Sequence, residues 1–391
     1  MILHYGLWRE VLLLVAAAPV VYYILAIIAA FRFFGRSQTQ AQEDYTPPAS
    51  LLKPVRGVDF GSYENFASFC KQDYPEYEIL FAVNDESDPA VSLIRQIIAE
   101  FPQRQIRLFT STKELGANRK VNKLAMLARQ AQYDVLVLTD GDVRIAPDYL
   151  REGVSPLRDK KIGAVTSFYR AIAQENLAAK VEAIGASSDF FAGVLMARWK
   201  EGIRFALGAF IATTKQWVQK MGGLERISDA LADDYELGLR IANAGGEIVL
   251  SHEPVWTMYP AQTLSGFWDH QLRWARTVRL CRPFSYLGLL FTQGLPWTLL
   301  AILLAPEWRV AGAYLAAYFV LRFAMAWTVG VWGVQDEVLR QNLWLIPVRD
   351  AIYFVVWLAS FGSNRIRWGP VEYAIQKGRM VPIGGHEESA P

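Results

Sequence analysis

Residues 135–142 read Val-Leu-Val-Leu-Thr-Asp-Gly-Asp. Five uncharged residues, four of them Val or Leu, stop at two carboxylates flanking a glycine. An apolar run this short, closed by a turn signal, predicts a strand buried on both faces, as in a parallel sheet. In open α/β sheets ligands bind beyond the carboxyl ends of the strands. Asp140 and Asp142 therefore stand where a ligand is expected, and Gly141 lets the backbone turn sharply between them. Two carboxylates at i and i+2 are hard oxygen donors for Mg²⁺ or Mn²⁺, which in turn hold a diphosphate. An exposed hairpin turn is the plainer account of Asp-Gly. The buried strand ahead of it argues against that account.

The preceding residues repeat the pattern. Residues 51–57 open a strand that runs into a loop, and 63–70 read as a helix. Residues 78–84 (Glu-Ile-Leu-Phe-Ala-Val-Asn) form a second strand, again ending in acids at 85–89. Helical periodicity over 91–101, a strand at 106–109, the loop starting at Gly116 and a helix over 121–131 complete a β-α-β-α-β order. That order predicts an α/β, Rossmann-like parallel sheet. Two strands that deliver acids to one sheet edge mark a nucleotide-binding half. Downstream, strands are expected at 162–169, 208–213 and 247–250, and helices at 147–157, 177–200 and around Ala232-Asp233-Asp234-Tyr235. The 177–200 helix is unusually apolar, which suits either core packing or a membrane face.

Apolar residues make up 52% of the 391-residue chain, and they concentrate before residue 35 and after residue 285. Residues 11–34 are long and apolar enough to cross a bilayer, with no small-residue cleavage site behind them. Arg32 and Arg36 put the domain behind this segment on the cytoplasmic side. Residues 264–280 form an amphipathic helix in which Trp268 and Trp274 alternate with Arg273, Arg276 and Arg279, a composition suited to the bilayer interface. Apolar stretches come next at 286–305, 310–334 and 343–361, the first interrupted by Gly294 and Pro296. Three crossings after the domain would put the basic tail (Arg365, Arg367, Lys377, Arg379) outside, against the positive-inside rule, so one stretch is expected not to cross. The net charge of +2 gives no case for nucleic acid as a partner. Two cysteines, Cys70 and Cys281, fall in different kinds of segment, so neither a disulfide framework nor a zinc site is expected.

Taken together, these motifs resemble the ceramide glucosyltransferase family. That family belongs with the family 2-like inverting glycosyltransferases of the GT-A fold and has bacterial relatives that act in hopanoid biosynthesis. The similarity runs from Leu51 to about Pro382. It is carried by Leu-Lys-Pro-Val-Arg-Gly-Val-Asp at 52–59, Asp73 to Glu78, Asp85 to Pro89, Gly116 to Asn122, Asp140-Gly-Asp142, Ala232 to Tyr235, Arg273-Trp274, and Arg367-Trp368-Gly369 with Tyr373, Gly378 and Arg379. Each motif is weak alone; their order and spacing are specific. The chain departs from the pattern at His270, where the family usually has Gln or Arg. It departs again at Asp233, where Glu is usual, and at Asn122-Lys123, where animal enzymes have two asparagines.

The resemblance implies an organisation and a chemistry. A membrane anchor (1–36) and linker (37–50) lead into a GT-A catalytic domain (51–260). An interface helix (261–284), membrane segments (285–362) and a cytoplasmic-type tail (363–391) complete the chain. Glucose from UDP-glucose is expected to pass to a membrane-lipid hydroxyl, ceramide first and a hopanoid or glycerolipid next. Asp85 or Asp88 would contact the uracil or ribose, with Lys53, Asn118, Lys120, Asp140 and Asp233 also on the nucleotide sugar. Asp142 would ligate Mn²⁺ or Mg²⁺ and so assist the leaving diphosphate. Asp234 would be the base, Arg273 the diphosphate partner, and Trp274 part of the acceptor site. The plainer accounts are a solvated basic loop for Lys120, first-turn helix acids for Asp233 and Asp234, and an interfacial anchor for Arg273 and Trp274. The expected location is a bacterial-type inner membrane with the catalytic domain facing the cytoplasm. A processive polysaccharide synthase needs more membrane helices than this chain offers. A sensor or transporter would rest on Arg322, a charge inside an apolar stretch.

Overall fold

The computed structural model describes residues 2–35, 45–111, 114–368, 371–376 and 378–383. Most of the expected linker, Gly369 and Lys377 lie outside the described residues. The chain divides into two compact units. One gathers residues 37–172, 202–260 and 367–391; the other gathers residues 1–36, 173–201 and 261–366.

The first unit is built on an eight-stranded sheet. Its strands are β1 (Ala49–Pro54), β2 (Tyr77–Val83), β3 (Gln105–Thr110), β4 (Val135–Thr139), β5 (Val143–Arg144), β6 (Ile162–Ala173), β7 (Phe210–Thr214) and β8 (Glu247–Tyr259), in the order β3-β2-β1-β4-β7-β6-β8-β5. β1, β2 and β4 are buried along their whole length, as near-continuous apolar runs require. β1 pairs in parallel with both β2 and β4, so the acids after β2 and β4 leave the same edge. Helices Ser62–Cys70, Ala90–Glu100 and Arg119–Gln130 fill the crossovers. The sheet is not parallel throughout: β7 runs antiparallel to β4 and to β6. A five-residue apolar strand carries no directional signal, so this reversal is not visible in the sequence. β6 and β8 are also longer than their apolar stretches, because β8 continues through polar residues to pair with β5.

The tail closes on this unit. Val371–Gln376 and Arg379–Pro382 form an antiparallel hairpin. Arg379 bridges Ala230, and the Met380 amide donates to the Asp229 carbonyl.

The second unit is helical and apolar. Among the described residues three helices are long and apolar enough to cross a membrane: Leu7–Phe34, Trp308–Gly333 and Leu343–Ser360. Pro283–Thr292 and Gly294–Leu304 form a pair bent by 51°. Gly294 sits at that bend with its amide donating to the Tyr23 hydroxyl at 2.9 Å. A Cβ there would stand 2.3 Å from that oxygen, so the close approach needs glycine. Arg322 is 1% exposed, but its guanidinium donates to Asp350, Asp189 and Ser188. Tyr318 donates to the same Asp350 at 2.8 Å. A buried cation held by two carboxylates serves as an interhelical tie, which removes the support for a charge pathway.

Candidate active site

The first unit places its site at the carboxyl edge of β4. Lys53, on β1, is fully buried, and burial pushes its ammonium down to about 7. Its Nζ donates to the Thr139 hydroxyl at 3.1 Å and to the Asp140 carbonyl at 3.0 Å, above the Phe69 ring at 3.7 Å. Lys53 thus braces the Asp140–Asp142 turn from below the surface.

The loop 116–122 is clamped to residues 228–233. A Cβ on Gly116 would meet the Asp229 and Ser228 side chains at 2.5 and 2.6 Å, so only glycine fits. Ala117 donates its amide to Asp229, and Asn118 donates its own to the Ser228 carbonyl. The Asn118 side chain caps the Arg119–Gln130 helix by accepting from the Lys120 and Val121 amides. Its Nδ2 donates to the Ala230 carbonyl at 3.0 Å and reaches Asp233 at 3.4 Å. Asn118 is therefore buried within the protein, where it holds the loop to the start of the Asp233–Asn243 helix.

Lys120, next on that helix, joins the two acidic motifs. Its Nζ lies 2.7 Å from Asp140 Oδ1 and 3.0 Å from Asp233 Oδ2. Burial alone would lower its pKa, but Asp140, Asp233 and Asp234 outweigh that and hold the ammonium firmly charged. Asp234 accepts from its neighbour's amide, Tyr235, at 2.7 Å. Burial and then the adjacent Asp233 push its carboxyl up to about 6. Burial and then Asp140 push Asp142 up to about 7. Gly208, just before β7, faces both motifs: a Cβ there would stand 3.1 Å from Asp234 Oδ2 and 3.4 Å from Asp140 Oδ2. A cavity of about 10 Å³, no more than one water's worth, is lined by Lys120, Thr139, Gly208, Asp233 and Asp234 among others.

Strand logic put Asp140 at the sheet edge, and the family resemblance implied Lys120, Asp233 and Asp234 at the same site; the structure gathers the four. Sequence reasoning did not single out Gly208, Thr139 or Asp229. Only the glycine before an apolar strand was a visible signal. Asp88 accepts from the Gly57 amide at 2.9 Å and the Ala90 amide at 2.9 Å, tying the loop after β1 to the helix after β2. Asp85 is exposed at the end of that edge and accepts from the Ser87 amide. Asp140 and Asp142 offer hard oxygens. Among the described residues no group of three His, Cys, Asp or Glu side chains is placed to hold a metal ion. The pair suits a divalent ion that takes its remaining oxygens from a bound diphosphate and water.

Arg273 and Trp274 lie in the other unit, on the helix Leu264–Cys281. There Trp274 donates its indole N–H to His270 Nε2 at 3.1 Å, and its ring meets Phe190 edge-on at 6.1 Å. His270 Nδ1 pairs with Glu182, which also accepts from the Gln262 amide.

Comparison with known proteins places this geometry in context. A sequence profile of glycosyl transferase family 21 matches residues 11–381. Ceramide glucosyltransferase 1 of Caenorhabditis elegans is 25% identical over 258 residues, 66% of this chain and 55% of that protein. Ceramide glucosyltransferase 3 of the same organism is 27% identical over 65% of this chain and 56% of its own length. The chain thus spans about half the length of these curated relatives. Among solved structures, a mannosyltransferase from Pyrobaculum calidifontis in complex with GDP-Man and Mn²⁺ superposes with a TM-score of 0.54, covering 90% of this chain and 97% of that one. At 19% identity that likeness shows the fold, a GT-A-type mixed α/β sheet.

Proposed function

Because the chain belongs to glycosyl transferase family 21, we propose that it is a membrane-bound inverting hexosyltransferase that passes glucose from UDP-glucose to a membrane-lipid hydroxyl, with ceramide the first-choice acceptor. The observation that carries this reading is the convergence of Asp140, Lys120, Asp233 and Asp234 on the carboxyl edge of β4, around Gly208. The ceramide glucosyltransferases of C. elegans support the donor and acceptor classes.

In this reading the nucleotide lies across the edge formed by β1, β2 and β4, with Asp85 at its base-and-ribose end. Asp88, Asn118 and Lys53 shape that edge from within. Lys120 turns its charge to the diphosphate, and Asp233 holds Lys120. Asp142 and Asp140 would hold a divalent ion, which would supply Lewis-acid assistance to the leaving diphosphate. Asp234 takes the proton of the acceptor hydroxyl as that oxygen bonds to the anomeric carbon. The carbon–oxygen bond to the diphosphate breaks in the same step, and UDP leaves with the electron pair. A carboxyl pushed up to about 6 is ionised at neutral pH and still basic enough for this task. As the family resemblance implies, Arg273 serves the diphosphate and Trp274 the acceptor.

The tail constrains the topology. The chain leaves the catalytic unit after Pro260 and returns to it at Arg367, so an even number of crossings lies between. With Trp308–Gly333 and Leu343–Ser360 taken as those crossings, the bent pair at 283–304 would be a re-entrant loop and not a broken span. Arg32 after the first span then puts the catalytic unit and the basic tail in the cytoplasm. Two crossings after the domain are too few for a polymer pore, which separates this reading from a processive synthase.

The test is transfer by the detergent-purified protein from UDP-glucose with Mn²⁺ to ceramide, a hopanoid polyol or diacylglycerol, read as glycolipid by mass spectrometry. Glucosylceramide is expected. Product on another lipid would correct the acceptor, and product only from another nucleotide sugar would correct the donor.

A further inference from the structure

Inside the helical unit, three side chains form a hydrogen-bonded chain that ends on an exposed aromatic ring. Glu182, on the helix Leu177–Gly185, is 9% exposed. It accepts from His270 Nδ1 and from the Gln262 side-chain amide. His270 Nε2 accepts the indole N–H of Trp274 at 3.1 Å. The histidine's two nitrogens are thereby assigned opposite roles: Nδ1 donates and Nε2 accepts, and each role fixes the other. The His270 and Trp274 rings meet at 63° with centroids 5.8 Å apart, one helical turn apart on the same face. Phe190 packs edge-on against the indole with centroids 6.1 Å apart. Trp274 is nevertheless 41% exposed. A large ring that is half open to its surroundings would ordinarily sample several rotamers. Here its one polar atom is tied to a nearly buried carboxylate through an imidazole.

We propose that Glu182 and His270 are positioning residues that lock the Trp274 indole in one rotamer as part of the acceptor-binding surface for the lipid substrate. The inference rests on the lipid-transferase reading above. A helix at an interface anchors its tryptophans through the indole N–H to lipid headgroups or water. In this chain that N–H is satisfied inside the protein, so the ring presents its apolar face outward and leaves no donor to compete for the headgroup. The surface so formed suits an amphipathic lipid whose polar end carries the reacting hydroxyl. Gln262 supports the same carboxylate from the start of the segment, so Glu182 is held from two sides before it holds His270.

The test separates the contact from the activity. The protein is labelled with 5-fluorotryptophan in detergent micelles, and the Trp274 signal is assigned by its absence from Trp274→Phe. His270→Leu removes both hydrogen bonds. His270→Gln keeps a donor for Glu182 and an acceptor for the indole. The expected result is a shifted or broadened Trp274 fluorine signal in His270→Leu, with an acceptor KM raised about tenfold and an unchanged donor KM. His270→Gln should return both readouts most of the way to wild type. An unmoved fluorine signal in His270→Leu would overturn the positioning. A moved signal with an unchanged acceptor KM would overturn the role in acceptor binding. Wild-type protein that glucosylates no lipid, while the signal still responds to His270→Leu and not to His270→Gln, would bring down the lipid-transferase reading and leave the locked ring as a purely structural feature.

Discussion

The ammonium of Lys120 lies 2.7 Å from Oδ1 of Asp140. That ion pair ties the first turn of the Arg119–Gln130 helix to the end of β4, and its second arm reaches Asp233 at 3.0 Å. Three carboxylates, Asp140, Asp233 and Asp234, thus share one cation in a half-buried site. Removing that cation raises the pKa of the carboxylates that remain. Lys120→Met should therefore move the acid limb of the kcat/KM pH profile upward by about one unit and raise the donor KM. Lys120→Arg should keep the limb in place. A profile unchanged in Lys120→Met would show that Lys120 does not face the base.

In the proposed mechanism Asp234 takes the acceptor's proton. With its carboxyl pushed up to about 6, wild-type activity should fall about tenfold per pH unit below that value as the base protonates. Asp234→Asn should lose roughly 10²–10⁴ in kcat, with UDP-glucose binding retained. Stability should move the other way. The folded pKa lies above the unfolded one, so between about 4 and 6 rising pH ionises the group in an environment that disfavours its charge. Above that window the folded state carries the penalty in full, and Asp234→Asn relieves it. At pH 7.5 the variant should melt roughly 2 °C or more higher, measured by differential scanning fluorimetry.

Gly208 offers a steric test. An added Cβ would stand 3.1 Å from Asp234 Oδ2 and 3.4 Å from Asp140 Oδ2. The first contact is tight, the second is at van der Waals range, and both partners belong to the proposed machinery. Gly208→Ala should fold normally and lose about tenfold or more in kcat/KM, since small displacements of a base are costly. Gly193, inside the Phe191–Glu201 helix with nothing within 4 Å of its would-be Cβ, is the control. Gly193→Ala should leave activity intact and add about 0.5–1 kcal/mol of stability.

Lys53 supports the turn without reaching the surface. Lys53→Met removes the donors to Thr139 and to the Asp140 carbonyl. Each group left unsatisfied in the interior costs about 1–3 kcal/mol. The variant should unfold at lower denaturant and bind UDP-glucose more weakly, because the Asp140–Asp142 turn loses its brace. Calorimetric titration with UDP-glucose and Mn²⁺ checks the second effect.

The acidic edge was legible because strand chemistry is local. The run 135–139 had to be buried, and the acids following it had to sit at its end. The same logic found the acids after β2. What held those motifs in register was not legible, because it depends on long-range contacts. Lys120 and Asp233 lie 113 positions apart in the chain, and Asn118 and the Ala230 carbonyl 112. No periodicity links such residues. The reversal of β7 was hidden because a short buried strand reads the same in either direction. The tail's basic residues suggested a side of the membrane, but the bridge from Arg379 to Ala230 emerges only once the chain has folded back. In the sequence His270 is only a departure from the family motif, because its partner Glu182 lies far from it along the chain.

The central claim is a single displacement at the sugar's anomeric carbon with Asp234 as the base. The most direct measurement is the anomeric configuration of the newly formed glycosidic bond, read by proton NMR of the glycolipid made from UDP-α-glucose. One displacement inverts, so the account predicts a β-glucoside that disappears in Asp234→Asn. An α-glucoside would mean retention, which needs two displacements or a front-face path, and would contradict the account.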